Sequence, residues 1–105
     1  MEKSNKMRLS ERQIAVLKNY FADKPVRQVY LFGSYARGDA DENSDIDLFV
    51  QLDYERLTSA WDVFNYGDEI GKLMRRKVDF ATKLSKYIAA EVECEKLLIY
   101  EKAIA

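Results

Sequence analysis

The sequence predicts an α/β (α+β) domain: a small mixed β-sheet covered on one face by helices, in the order α-β-α-β-α-β-α. Three observations predict it. Apolar residues recur at helical spacing in some segments and alternate or run together in others, the two signatures trading places along the chain. Two of the three strand candidates carry aspartates on the face opposite their apolar residues, so one sheet face is expected to be buried and the other open and acidic. The chain has 105 residues, 48% of them hydrophobic and 33% charged, enough for one core and one domain. We expect a single domain over residues 1–105, with 1–9 flexible.

Each element has a local cause. Ser10-Glu11-Arg12-Gln13 fits a capping box, and Ile14, Leu17 and Phe21 follow at helical spacing. This helix is expected to end near Ala22, because Pro25 disfavours helix in the residue before it. Val26 to Phe32 reads as a central strand, since Val29-Tyr30-Leu31-Phe32 is a continuous apolar run. Ser34 to Arg37 reads as a short helix, with Gly38 as its left-handed stop. After a loop over Asp39 to Ser44, strand two runs from Asp45 to Gln51, with Asp45 and Asp47 on one face and Ile46, Leu48 and Val50 on the other. Asp53 to Arg56 connects to a long helix, whose inward stripe is expected at Leu57, Trp61, Phe64, Ile70 and Met74, flanked by Ala60 and Leu73. Arg75-Arg76-Lys77 closes it and complements its C-terminal dipole. Lys77 to Thr82 is strand three, with Val78 and Phe80 inward and Asp79 outward. A last helix is expected with Ser85 as cap and Ile88, Val92 and Ile99 inward; Cys94 reads as inert helix packing.

Composition excludes several classes. Lys+Arg 17 against Asp+Glu 18 gives a net charge of -1, which argues against a direct nucleic-acid partner. A lone cysteine, Cys94, forms no internal disulfide, and a cytoplasmic location is expected. No apolar run approaches a membrane span, and the N-terminus lacks the apolar core of a signal peptide. The absence of histidine removes imidazole bases and histidine-ligated zinc. Acid–base work and metal binding fall to carboxylates, which favour hard cations such as Mg2+.

The stretch from Val29 to Val50 concentrates the chemistry. If strands two and three are close, Asp45, Asp47 and Asp79 converge. Two such charges about 4 Å apart repel by roughly 4 kcal/mol at an effective dielectric near 20. Such a cluster is tolerable if it is partly solvated, if one carboxylate takes a proton, or if a cation sits between the carboxylates. Two Mg2+ ions held by carboxylates suit an in-line displacement at phosphorus, with Asp79 accepting the proton of an incoming hydroxyl. Gly33 lets a triphosphate approach the backbone, and Ser34 with the N–H groups behind it is placed to hold phosphates. Arg37 is left between two readings, a phosphate contact or an ion pair with Asp39 or Asp41. The acids Asp39, Asp41 and Glu42 read as solvated loop surface, and Tyr35 as a partly buried aromatic.

Gly33-Ser34, ten intervening residues, then Asp45-x-Asp47 resembles the signature of the DNA polymerase β-like nucleotidyltransferases. Gly33-Ser34-Tyr35-Ala36-Arg37-Gly38 with Ser44-Asp45-Ile46-Asp47-Leu48 resembles more narrowly their minimal nucleotidyltransferase (MNT) group, whose members pair with HEPN-domain proteins. The resemblance implies the nucleotidyltransferase fold and transfer of a nucleoside monophosphate, AMP from ATP foremost, to a hydroxyl. It implies a HEPN-toxin tyrosine as acceptor, so that the chain acts as antitoxin. It matches Asp45, Asp47 and Asp79 to catalytic metal ligands, Gly33 and Ser34 to the phosphate-binding turn, and Arg37 to the basic position in that turn. Two other readings stand beside it: a catalytically silent antitoxin that blocks a HEPN partner sterically, and a small-molecule transferase of the aminoglycoside type. Nucleobase preference and oligomeric state are left open by the sequence.

Overall fold

A computed structural model of the chain describes residues 8–57, 60–82 and 96–102. Helix α1 spans Glu11–Phe21, β1 Val26–Phe32, α2 Gly33–Arg37, β2 Ile46–Leu52, α3 Ala60–Met74, β3 Val78–Ala81 and β4 Leu97–Glu101. The sheet order is β3-β2-β1-β4. β1 pairs antiparallel with β2 and with β4, while β2 and β3 are parallel and joined through α3. The mixed sheet expected from the sequence is therefore present, with four strands instead of three.

The capping box forms. The Ser10 hydroxyl accepts from the Gln13 backbone N–H at 3.1 Å, and the Gln13 side chain accepts from the Ser10 N–H at 2.8 Å. Leu17 and Phe21 are the fully buried residues of α1. They meet the side of the sheet carrying Val29 and Leu31 of β1 and Ile46, Leu48 and Val50 of β2, all buried. Burial of each such side chain contributes about 1.5–3 kcal/mol. Register fixes the rest: Val29 faces Val50 and Leu31 faces Leu48, so Tyr30, Phe32, Asp47 and Phe49 fall on the other face.

Three expectations need correction. The inward stripe of α3 is Val63, Tyr66, Ile70 and Met74, not one through Trp61 and Phe64, which are 77% and 73% exposed. Tyr66 supplies the aromatic mass instead, edge-on to Phe21 at 6.4 Å and to Phe80 at 5.8 Å. Ile99 lies on a strand, β4, and not on a helix, and is buried there as part of the core cluster. The far sheet face is acidic only at one end; farther along, Tyr30 stacks on Phe49 at 6.3 Å and the Lys96 ammonium sits 4.3 Å from the Tyr30 ring centre. The expected features at Ser85, Ile88, Val92 and Cys94 lie outside the described residues. Among the described residues no helix is long and apolar enough to cross a membrane.

Candidate active site

The parallel pairing of β2 with β3 sets Asp47 directly opposite Asp79, and the antiparallel pairing of β2 with β1 sets Asp47 opposite Phe32. Gly33 follows Phe32 at once, so the start of α2 is delivered beside the Asp47 carboxylate. Gly33 has φ +73, which favours glycine, and a Cβ there would collide with Asp47 Oδ2 and lie 3.1 Å from its Cγ. Gly33 is thus required both by its backbone and by the carboxylate packed over it. Gly38, with φ 83, ends α2 as expected; its N–H donates to the Ser34 carbonyl at 2.9 Å.

The carboxylates are strongly coupled. A hydrogen bond with Asp79 favours the protonated form of Asp47. Burial, that hydrogen bond and the charges of Asp79 and Asp45 push Asp47 up to about 6, against an opposing pull from the Arg37 guanidinium. Asp45 precedes the first residue of β2. Its Oδ2 lies 3.9 Å from Lys77 Nζ, and the Ile46 N–H donates to the Lys77 carbonyl at 2.9 Å. Arg37 donates from Nε to Asp39 Oδ2 at 3.3 Å while its charge also acts on Asp47. Of the two sequence readings of Arg37, the ion pair with Asp39 is the one present in the structure. Tyr35 is buried, and its hydroxyl has no hydrogen-bond partner among the described residues.

Of the residues singled out from the sequence, Asp47, Asp79, Gly33 and Arg37 come together at one end of the far sheet face. Ser34 is the second residue of α2, next to Gly33, and Asp45 sits at the rim, in contact with Lys77. Among the described residues no three acidic groups stand close enough to form a ready-made cation cage. The donor chemistry nevertheless fits a hard divalent cation: oxygen ligands only, and neighbouring negative charges that disfavour the ionised form of Asp47 until a cation offsets them. Asp45, whose charge acts on Asp47, also makes a long contact of 3.9 Å with Lys77 Nζ. Two cavities of about 460 and 520 Å3 lie elsewhere, around Pro25 and Glu69 and around Gln28 and Gln51. The register puts Gln28 and Gln51 at the other end of β1 and β2 from Asp47.

Sequence reasoning missed Arg76. It donates from Nη1 to the Glu42 carbonyl at 2.8 Å and from Nη2 to the Asp41 carbonyl at 3.5 Å. Its neighbours in the sequence point only to a helix terminus; the reach across 34 positions exists only in the fold.

The family model "Polymerase beta, Nucleotidyltransferase" matches residues 15–104. MJ1379 of Methanocaldococcus jannaschii, provisionally named a protein adenylyltransferase, is 37% identical over 71 residues, 65% of this chain and 71% of that one. The protein adenylyltransferase MntA of Thermococcus cleftensis is 37% identical over 60 residues, 57% of this chain and 59% of that one. A crystal structure of a toxin–antitoxin with AMP-PNP shares the fold at TM-score 0.67 and 22% identity, over 90% of this chain and 75% of that chain. A tri-AMPylated Shewanella oneidensis HEPN toxin in complex with MNT antitoxin gives TM-score 0.64 at 14% identity, over 90% and 74%. Because the family match covers most of its length, the chain belongs to the polymerase beta nucleotidyltransferase family.

Proposed function

We propose that this nucleotidyltransferase is a Mg2+-dependent protein adenylyltransferase that moves AMP from ATP to a tyrosine hydroxyl of a HEPN-domain partner and so acts as its antitoxin. The observation that carries the reading is the Asp47–Asp79 pair, locked in register beside Gly33. Magnesium, held by Asp45, Asp47 and Asp79, would supply charge neutralisation at the phosphates. Gly33 leaves room for the triphosphate against the backbone. Ser34 and Arg37 orient it by hydrogen bonding and charge. Asp79 is the most exposed of the pair, so an incoming hydroxyl meets it first. The acceptor oxygen forms its bond to the α-phosphorus, the bond to pyrophosphate breaks, and the hydroxyl proton passes to the Asp79 carboxylate.

A protein acceptor is favoured over a small molecule by relatives that bear the protein adenylyltransferase name and by fold neighbours solved with HEPN toxins. Residues 1–105 serve as one domain in this reading, and a cytoplasmic setting suits a chain with the single cysteine Cys94. The test is transfer of label from α-labelled ATP, with Mg2+, to a HEPN-domain protein. Label on the partner that falls at least about 100-fold with Asp45→Asn or Asp79→Asn is expected. A tight complex that takes up no label would replace transfer with simple steric blocking.

A further inference from the structure

The connection from α3 to β3 does more than turn the chain. Arg75 adopts a left-handed backbone with φ 55, and the Arg76 N–H donates back to the Gly71 carbonyl at 3.1 Å. The half-buried Arg76 guanidinium then lies 5.8 Å from the centre of the Tyr35 ring while it donates to the carbonyls of Asp41 and Glu42. One planar cation thereby touches α2, which carries Ser34, and the loop that leads into Asp45. It stands three residues before Asp79 in the chain.

The loop it holds is stiff within itself. The Ser44 N–H donates to the Asp41 carbonyl at 3.0 Å, the Asn43 N–H to Asp41 Oδ1 at 2.9 Å, and the Asp41 N–H to Ser44 Oγ at 2.8 Å. Such a turn moves as a body, so contacts at Asp41 and Glu42 set where Asp45 stands relative to β3. We propose that Arg76 is a positioning residue for the carboxylate site: it fixes the 41–44 turn and α2 against the start of β3, and so sets the spacing of Asp45 from Asp47 and Asp79. The function rests on the adenylyltransferase reading above; the clamp itself does not. A lysine keeps the charge and loses the planar fork that reaches two carbonyls at once.

The experiment compares Arg76→Lys and Arg76→Ala in the full chain with its HEPN partner, following kcat, the KM for ATP and amide exchange. Arg76→Lys is expected to lower kcat about 10–100-fold and to leave the KM for ATP within about twofold, because triphosphate binding is retained and alignment is lost. Arg76→Ala is expected to regain part of its kcat when millimolar guanidinium is added. In both variants the Ser44 and Ile46 amides exchange faster while those of Val29 and Leu31 do not. A kcat for Arg76→Lys within twofold of wild type overturns the proposal, as does faster exchange spread evenly over the sheet. If wild type itself labels no partner, the adenylyltransferase reading fails, and amide exchange at Ser44 and Ile46 alone decides the clamp: unchanged protection there overturns it.

Discussion

Adding one methyl group at Gly33 tests the central geometry without any assumption about activity. Residue 33 sits at φ +73, and the added Cβ would overlap Asp47 Oδ2. A left-handed backbone costs a residue with a Cβ roughly 1–2 kcal/mol, and reduced freedom of the unfolded chain returns about 0.4–1 kcal/mol. The backbone share of Gly33→Ala is therefore about 1 kcal/mol. The collision with a carboxylate hydrogen-bonded to Asp79 adds about 1–3 kcal/mol, the range for overpacking. The total is about 2–4 kcal/mol. In an Asp47→Ala background the collision partner is gone, and the same substitution is expected to cost only about 1 kcal/mol. Urea unfolding of the four proteins of this cycle measures the difference. A coupling energy below about 0.5 kcal/mol would mean that the carboxylate does not lie over the turn, and the placement of the whole site would fail with it.

Asp47 titrates near 6 because burial, the Asp79 hydrogen bond and the charges of Asp79 and Asp45 disfavour its ionised form. The folded chain then binds more protons than the unfolded chain from the ordinary carboxylate range up to about 6. Stability is expected to fall as pH rises through that window, by about 1–2 kcal/mol after screening at a half-open face. Asp47→Asn should flatten the slope between pH 4.5 and 7.5 and be about 1 kcal/mol more stable than wild type at the upper end, read by urea unfolding. Ser10→Ala removes the cap that accepts the Gln13 N–H and should cost about 1 kcal/mol in the same assay. On α3, Tyr66→Ala should cost about 3–5 kcal/mol, whereas Phe64→Ser, at an exposed position, should change stability by less than about 0.5 kcal/mol. The reverse ranking would restore the stripe first read from the sequence.

Local signals carried most of the fold. The capping box, the apolar run of β1, the Gly38 stop and the alternation around Asp47 and Asp79 are each decided within a few residues, and each stands where it was expected. The α3 stripe was legible too, at 63, 66, 70 and 74, a better helical series than one that jumps from 64 to 70. Trp61 and Phe64 mask it because their size and apolarity suit a core, whereas a folded surface retains many such residues. β4 was not legible. Leu97-Leu98-Ile99-Tyr100-Glu101 is a short apolar run, and periodicity alone does not separate such a run from a helix. Its strand identity comes from β1, as in the Gln28–Glu101 side-chain bond at 2.8 Å across 73 positions. Arg76 was hidden for the same reason: its partners are carbonyls, and a carbonyl has no letter in a sequence.

The site and the core are two faces of one strand. Ile46, Leu48 and Val50 are fully buried on one side of β2, and Asp47 stands between the first two on the other. A one-residue slip of register would exchange acids for core, so the apolar side fixes where Asp47 stands as firmly as it fixes the fold. That rigidity is what a mutually repelling pair needs. Carboxylates on a loop would move apart until their repulsion vanished, leaving no demand for a cation; carboxylates held in register by a sheet retain it. Asp45, the one acid of the three outside a strand, contacts Lys77 instead, and the turn that carries it needs a guanidinium to hold it in place.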